Sequence, residues 1–85
     1  MPKRIEYRLH AEQVMAERDI DRAWVERTIQ APEWTEPDPD PALLRYFRAV
    51  PERDGRILRV VCAETSDTIL VVTTFLDRGA RRPGP

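Results

Sequence analysis

The chain has 85 residues, of which 41% are hydrophobic and 34% charged, and its formal net charge is −1 at pH 7. These values are typical of one globular domain, and the mildly acidic balance argues against strong unspecific binding to nucleic acid. The single cysteine excludes an internal disulfide, and one cysteine with one histidine cannot build a zinc site unaided. Because no leader-like or membrane-spanning apolar run is present, we expect a cytoplasmic protein with no membrane partner.

The first half of the chain predicts one strand and two helices. Residues 5–9 alternate apolar and polar side chains, as a short strand does, and residues 11–19 are good helix formers. Asp21 is a favourable N-cap for a second helix, which Pro32 ends. Residues 33–41 contain alternating prolines and four acids, so we expect a loop there rather than regular structure.

The second half predicts three strands joined by short turns, at residues 43–50, 56–64 and 68–76. The pair Asp54-Gly55 is a strong turn signal between the first two of them. We therefore predict one α+β domain over residues 1–79, of order β-α-α-β-β-β, with two helices packed on a mainly antiparallel sheet. Residues 80–85 are expected to be a flexible tail.

The arginines of the second half raise the question of an anion site. Residues 1–42 carry a net charge of −4, and residues 43–85 carry +3. If the connecting turns contain an even number of residues, strand alternation places Arg48 and Arg59 on one otherwise apolar face, beside Tyr46. These two arginines either line a cleft for phosphate or carboxylate or rim a homodimer interface, and the sequence leaves both readings open.

By the same reasoning the opposite face, which includes Phe47, Leu58, Val60, Cys62 and Phe75, should lie under the helices. Two other arginines, Arg53 and Arg56, flank the predicted turn, and we interpret them as solvated surface residues.

His10 is the candidate general base, since histidine alone titrates near neutral pH without perturbation. The alternative is a helix-start residue whose ring satisfies a backbone amide. Asp38 and Asp40 form a D-x-D pattern that hints weakly at a divalent metal, but the alternating prolines favour a solvated linker. The sequence contains no Gly-rich phosphate loop, nucleophile elbow or metal motif. We therefore expect any catalysis to need neither metal nor cofactor and to use His, Arg, Tyr and Glu.

Several short motifs along the chain form a characteristic set. They are His10-Ala11 with Met15, the Glu17-Arg18-Asp19-Ile20 turn, Tyr46-Phe47-Arg48, Leu58-Arg59-Val60-Val61 and Thr74-Phe75-Leu76-Asp77-Arg78. With these motifs the chain resembles a bacterial family of small domains of unknown function. The resemblance covers about residues 5–78. That family is in turn distantly similar to the BrnT and RelE ribonuclease toxins, which also place their helices before a β-meander.

The resemblance implies a RelE-like fold and membership of a toxin–antitoxin system, with a cognate antitoxin as partner. It also implies His10, Arg18, Arg48 and Arg59 as candidate site residues. Two features depart from the pattern. Asp19 stands where the family has glycine, and the chain lacks the basic C-terminal helix that many such toxins use on RNA.

The first functional hypothesis is a metal-independent endoribonuclease toxin. His10 or a glutamate would deprotonate a ribose 2′-OH, Arg48 and Arg59 would stabilise the phosphorane, and Tyr46 would stack on a base of the RNA. The alternative hypothesis is a non-enzymatic interaction module, or an inactive member, that forms a homodimer through an apolar sheet face. In that case the acidic residues 33–40 would set its specificity.

Overall fold

The computed structural model describes residues 3–83 of the chain. Two helices pack on one face of a five-stranded sheet, so the predicted α+β class is confirmed. The elements are β1 (Arg4–Tyr7), α1 (Leu9–Arg18), α2 (Arg22–Gln30), β2 (Trp34–Pro37), β3 (Leu43–Val50), β4 (Arg56–Glu64) and β5 (Thr68–Leu76). The sheet order is β1-β5-β4-β3-β2, in which β1 runs parallel to β5 and the other pairs are antiparallel.

The helix ends follow from local side-chain chemistry. Asp21 is the N-cap of α2, as predicted, and its carboxylate accepts a hydrogen bond of 2.9 Å from the N–H of Ala23. Asp19 ends α1 in the left-handed conformation, with φ of 54°, and lets the N–H of Ile20 turn back to the carbonyl of Met15. The two helices are thereby joined at a sharp corner, and both lie on the same side of the sheet.

The short edge strand β2 was not predicted. The N–H of Glu33 donates to the carbonyl of Phe47, and Trp34 to Pro37 pair with β3. Prolines are tolerated here because one side of an edge strand needs no donor. The expectation of a loop over residues 33–41 is therefore wrong for the four residues of β2.

The connection between β3 and β4 decides which side chains share a face. It consists of five residues, 51–55, because Val50 pairs with Arg56. The predicted turn at Asp54-Gly55 is present, with φ of 58° and 75° at these two residues. However, an odd number of connecting residues reverses the face of β3 relative to the prediction, which assumed an even number.

Phe47 consequently lies on the face without helices, whereas Tyr46 lies under them. A second shift occurs in β5, where Val61 pairs with Thr73 but Cys62 pairs with Val71. The extra residue changes the alternation and places Phe75 opposite Arg59, away from the helices. The core between sheet and helices contains Ala11, Met15, Ile20, Val25, Ile29, Tyr46, Val50, Leu58, Val60, Cys62 and Val71.

The chain beyond β5 is partly described. The N–H of Ala80 donates to the carbonyl of Asp77, and the guanidinium of Arg82 pairs with the carboxylate of Glu33. The last two residues of the predicted tail, 84 and 85, lie outside the described residues. Within residues 3–83, neither helix has the length or the apolar character needed to cross a membrane.

Candidate phosphate-binding cleft

The four residues proposed from the sequence do not form one site. Tyr46 is only 6% exposed, and its hydroxyl donates a hydrogen bond of 2.6 Å to Oε1 of Glu64. Burial, together with the adjacent Glu64 carboxylate, raises the pKa of Tyr46 above its ordinary value. A phenol held in this way packs in the core and is not available to stack on a base.

Arg48 and Arg59 lie on opposite faces of the sheet, because Arg48 pairs with Leu58 while Arg59 pairs with Phe47. The prediction that they share a face is wrong, because an odd number of residues, 51–55, connects β3 and β4. Arg48 donates a hydrogen bond of 2.7 Å to the carbonyl of Ala31, at the C-terminal end of α2. Each of the two arginines thus has its own neighbours inside the molecule.

Arg59 is held on the open face of the sheet by two contacts. Its Nη1 lies 3.1 Å from Oδ2 of Asp77, and its guanidinium lies 4.6 Å from the ring centroid of Phe75. A second ion pair, of 2.8 Å, joins Arg45 to Asp38, and the hydrogen bonds of Asp38 to the Asp40 N–H and to Arg45 lower its pKa. These ion pairs belong to the face that was predicted to dimerise. Among residues 3–83 the exposed large hydrophobic side chain is that of Leu9, which lies in α1 and not in the sheet. A homodimer through an apolar sheet face stays a prediction.

His10 is exposed in the first turn of α1, and its Nε2 lies 3.4 Å from Oγ1 of Thr73. Arg18 lies at the other end of the same helix, roughly 12 Å away along the axis at 1.5 Å per residue. The structure therefore separates His10 from the cluster of arginines described next.

Four arginines converge at one end of the sheet. Together with Leu76 they line a cavity of about 220 Å³, which we call the arginine cleft; the four are Arg18, Arg53, Arg56 and Arg78. Arg53 and Arg56 are half-buried, and Arg18 and Arg78 are exposed. Arg53 and Arg56 are therefore not the fully solvated surface residues that the sequence predicted.

The topology brings these four residues together from four separate segments. Because β4 and β5 are antiparallel, the first residue of β4, Arg56, lies at the same end as Arg78, which follows β5. The 3₁₀ turn Pro51–Arg53 precedes β4 and places Arg53 at that end as well. Helix α1 packs along β5, and its last residue, Arg18, reaches the cleft beside Leu76.

None of the four guanidinium groups forms a salt bridge with a carboxylate of residues 3–83. Among the other arginines of these residues, Arg8, Arg48 and Arg81 also lack a salt bridge, whereas six form one, namely Arg4, Arg22, Arg27, Arg45, Arg59 and Arg82. The cleft differs from the rest of the surface in that four such arginines line one cavity. Arg53 is oriented by a bond of 3.4 Å to the carbonyl of Asp19 and by the ring of Trp24, 5.9 Å away. Four like charges in one cleft repel each other, and a bound anion relieves this repulsion.

A second, larger cavity adjoins the arginine cleft. Its volume is about 470 Å³, and its lining comprises Arg56 and Arg78 of the cleft together with Gly55, Ile57, Asp77, Ala80 and Arg81. The carboxylate of Asp77 is engaged, since Oδ2 pairs with Arg59 and Oδ1 accepts a bond of 2.9 Å from the N–H of Gly79. The adjoining cavity therefore adds a further arginine to the positive surface.

No local motif predicts this site, because the four arginines come from different elements of the chain. Arg18 was suggested through the family resemblance, and the excess positive charge of residues 43–85 was visible in the sequence. The signal that could have found the rest is positional. Arg56 begins a predicted strand, and Arg53 and Arg78 each follow the end of another one by a few residues, where antiparallel neighbours meet.

Cys62 was expected to be buried in the sheet, and it is fully buried. Burial raises the pKa of its thiol to about 12, so that the thiol remains protonated at neutral pH. Cys62 therefore has a packing role and is not a nucleophile.

A family model described as a domain of unknown function, DUF4258, matches residues 7–76, and the chain belongs to this family. No curated protein and no solved structure matches the chain. The predicted membership of a family of small domains of unknown function is thereby confirmed. The more distant similarity to BrnT and RelE toxins, and the bacterial origin, stay predictions.

Proposed function

We propose that this DUF4258 domain binds the phosphodiester backbone of RNA in the arginine cleft. The observation that carries the proposal is the convergence of four arginines that have no carboxylate partner within residues 3–83. The planar guanidinium group donates paired hydrogen bonds to phosphate oxygens, and it keeps its charge at every physiological pH. A phosphate in the cleft would supply the negative charge that the lining of the cleft lacks.

The choice of RNA, among phosphate-bearing molecules, rests on two supports. One is the resemblance of the chain to ribonuclease toxins. The other is the extent of the positive surface, which continues from the cleft to Arg81 in the adjoining cavity and so suits a ligand with several phosphates. The overall charge of −1 is compatible with this because binding to a local cluster depends on the charges near it.

Metal-independent cleavage of the RNA is the catalytic form of the proposal. The 2′-oxygen would attack the adjacent phosphorus, and the bond to the 5′-oxygen would break, leaving a 2′,3′-cyclic phosphate and a 5′-hydroxyl. The cleft arginines, rather than Arg48 and Arg59, would stabilise the charge of the phosphorane.

Within residues 3–83 no imidazole, carboxylate or phenol lines the arginine cleft. The proton of the 2′-OH would therefore pass to water or to a group of a bound partner, and water would protonate the leaving oxygen. We accordingly expect cleavage by the isolated protein to be slow compared with its binding of RNA.

The binding step is tested with a fluorescent single-stranded RNA of about 12 nucleotides, titrated in EDTA at several salt concentrations. The variant is the pair Arg53→Gln and Arg56→Gln. The matched control is Arg4→Gln with Arg22→Gln, which removes two ion-paired arginines that do not line the cleft. We expect the cleft variant to weaken binding by about tenfold or more and the control by less than about twofold.

The salt dependence of RNA binding measures the number of phosphate contacts independently. For single strands the slope of log K against log salt is about −0.7 per phosphate contacted, so losing two contacts should make the slope shallower by about 1.4. Equal weakening by both double variants, or no binding by the wild type at about 50 mM salt, would contradict the proposal. End-labelled RNA in the same EDTA buffer reports cleavage through the appearance of cyclic-phosphate ends.

A further inference from the structure

We propose that the arginine cleft and the adjoining cavity are consecutive subsites, which hold a phosphate and the neighbouring nucleoside of a single RNA strand. This inference rests on the proposed function and specifies which part of a single RNA strand each cavity holds. The two cavities share Arg56 and Arg78 in their linings, so a ligand group in one lies directly beside a group in the other. A phosphate between them would contact both shared arginines.

The linings of the two cavities differ in a way that fits these two parts of a nucleotide. The cleft is lined by four guanidinium groups and one leucine, which suits a phosphate. The adjoining cavity adds Gly55, Ile57 and Ala80, which present small or apolar surface, together with Arg81 as a planar cation. Asp77 also lines it, and both oxygens of its carboxylate have partners inside the protein. A guanidinium plane is one of the surfaces on which unpaired bases stack, and small or apolar neighbours leave room for the base.

The sizes agree with this division. The adjoining cavity, of about 470 Å³, lies in the range of roughly 300–1,000 Å³ that is usual for small organic ligands, and the cleft, of about 220 Å³, lies below it. An added Cβ at Gly55 would meet no atom within 4 Å, so the space beside this turn is open. A ring system can therefore enter the adjoining cavity from the solvent side.

The position of the two subsites favours a single strand over a duplex. Leu76, in the cleft, lies on the helix side of the sheet, because it pairs with Leu58 of the core. Ile57, in the adjoining cavity, lies on the opposite face with Arg59. A ligand that occupies both subsites must bend around the end of the sheet, and a stiff double helix resists so sharp a bend.

The test compares uridine 3′,5′-bisphosphate with inorganic phosphate, each measured by calorimetric titration of the full chain. In the wild type we expect the bisphosphate to bind at least about tenfold more tightly than phosphate, because it engages both subsites. The diagnostic variant is Ala80→Trp, which fills the adjoining cavity without removing a charge. The backbone N–H of Ala80, which bonds to Asp77, is retained. Ala42→Trp is the control, since Ala42 is exposed in a loop that lines neither cavity.

With Ala80→Trp the bisphosphate should fall to within about twofold of phosphate, while the affinity for phosphate itself stays unchanged. Arg18→Gln should weaken the binding of both ligands, because Arg18 lines the cleft, where the phosphate binds, and does not line the adjoining cavity. An unchanged bisphosphate affinity in Ala80→Trp, or equal binding of duplex and single-stranded RNA by the wild type, would overturn the two-subsite inference and leave RNA binding at the cleft standing. If the wild type binds neither phosphate nor RNA, the proposed function fails, and the inference fails with it.

Discussion

Substituting Arg59 with methionine separates a structural arginine from a ligand-binding one. The ion pair with Asp77 has an N–O distance of 3.1 Å, and the two side chains are 22% and 17% exposed. At an effective dielectric constant of about 20, two unit charges at this distance attract with about 5 kcal/mol. Desolvation and lost side-chain entropy cancel most of this attraction.

The net loss in Arg59→Met should therefore be about 1–2 kcal/mol, including about 0.5–1 kcal/mol for the cation–π contact with Phe75. For a domain of this size, such a loss lowers Tm by about 5–15 °C. Thermal and urea unfolding measure it, and a double-mutant cycle with Asp77→Asn should show a coupling energy of about 1 kcal/mol. Because neither Arg59 nor Asp77 lines the arginine cleft, the affinity of the cleft for inorganic phosphate should change by less than about twofold.

The control for this experiment is Arg8→Met, which removes one exposed arginine that forms no salt bridge with a described residue. Its stability should change by less than about 0.5 kcal/mol. An unchanged free energy of unfolding in Arg59→Met, together with an affinity for inorganic phosphate that drops about tenfold, would refute a purely structural role of Arg59. That result would return Arg59 to the candidate site and remove the cleft from it.

Three further predictions concern buried or paired groups. Tyr46→Phe should cost about 1 kcal/mol of unfolding free energy, because the hydrogen bond to Glu64 is lost, and should leave RNA affinity unchanged. Cys62 should react with a thiol reagent only when the chain is unfolded, because burial raises its pKa to about 12. Hydrogen bonds from Lys3 and Tyr46 lower the pKa of Glu64 in the folded state, so its contribution is present above the unfolded pKa, near 4.5, and is lost as the pH falls through the folded value. Acid should therefore lower the urea midpoint, and Glu64→Gln should reduce the dependence on pH.

Each of these three predictions has an outcome that would contradict it. A Tyr46→Phe protein of unchanged stability that binds RNA weakly would mean that the phenol contacts the ligand. Modification of Cys62 at the same rate in native and unfolded protein would show that the thiol is accessible. An identical pH dependence in wild type and Glu64→Gln would assign the acid transition to other carboxylates, among them Asp38 and Glu52, whose pKa values are also lowered by hydrogen bonds.

The sequence alone determined the two helices and the long strands of this protein, because their signals are local. The cap at Asp21 and the apolar runs of β3, β4 and β5 each act within a few residues, so the helices and long strands were predictable. The edge strand β2 was missed since its pairing with β3 comes from a partner distant in the chain.

Only the tertiary structure decided which side chains meet. Face assignment depends on the number of residues in each connection and on any extra residue in a strand, so the connection 51–55 and the shift beside Val61 reversed the placement of Phe47 and Phe75. The candidate site shows the same dependence. Four arginines from four segments form one cleft because antiparallel pairing brings the start of β4 to the end of β5, and α1 ends beside them. Strand pairing of this kind is set by the whole fold, and no short stretch of the chain contains it.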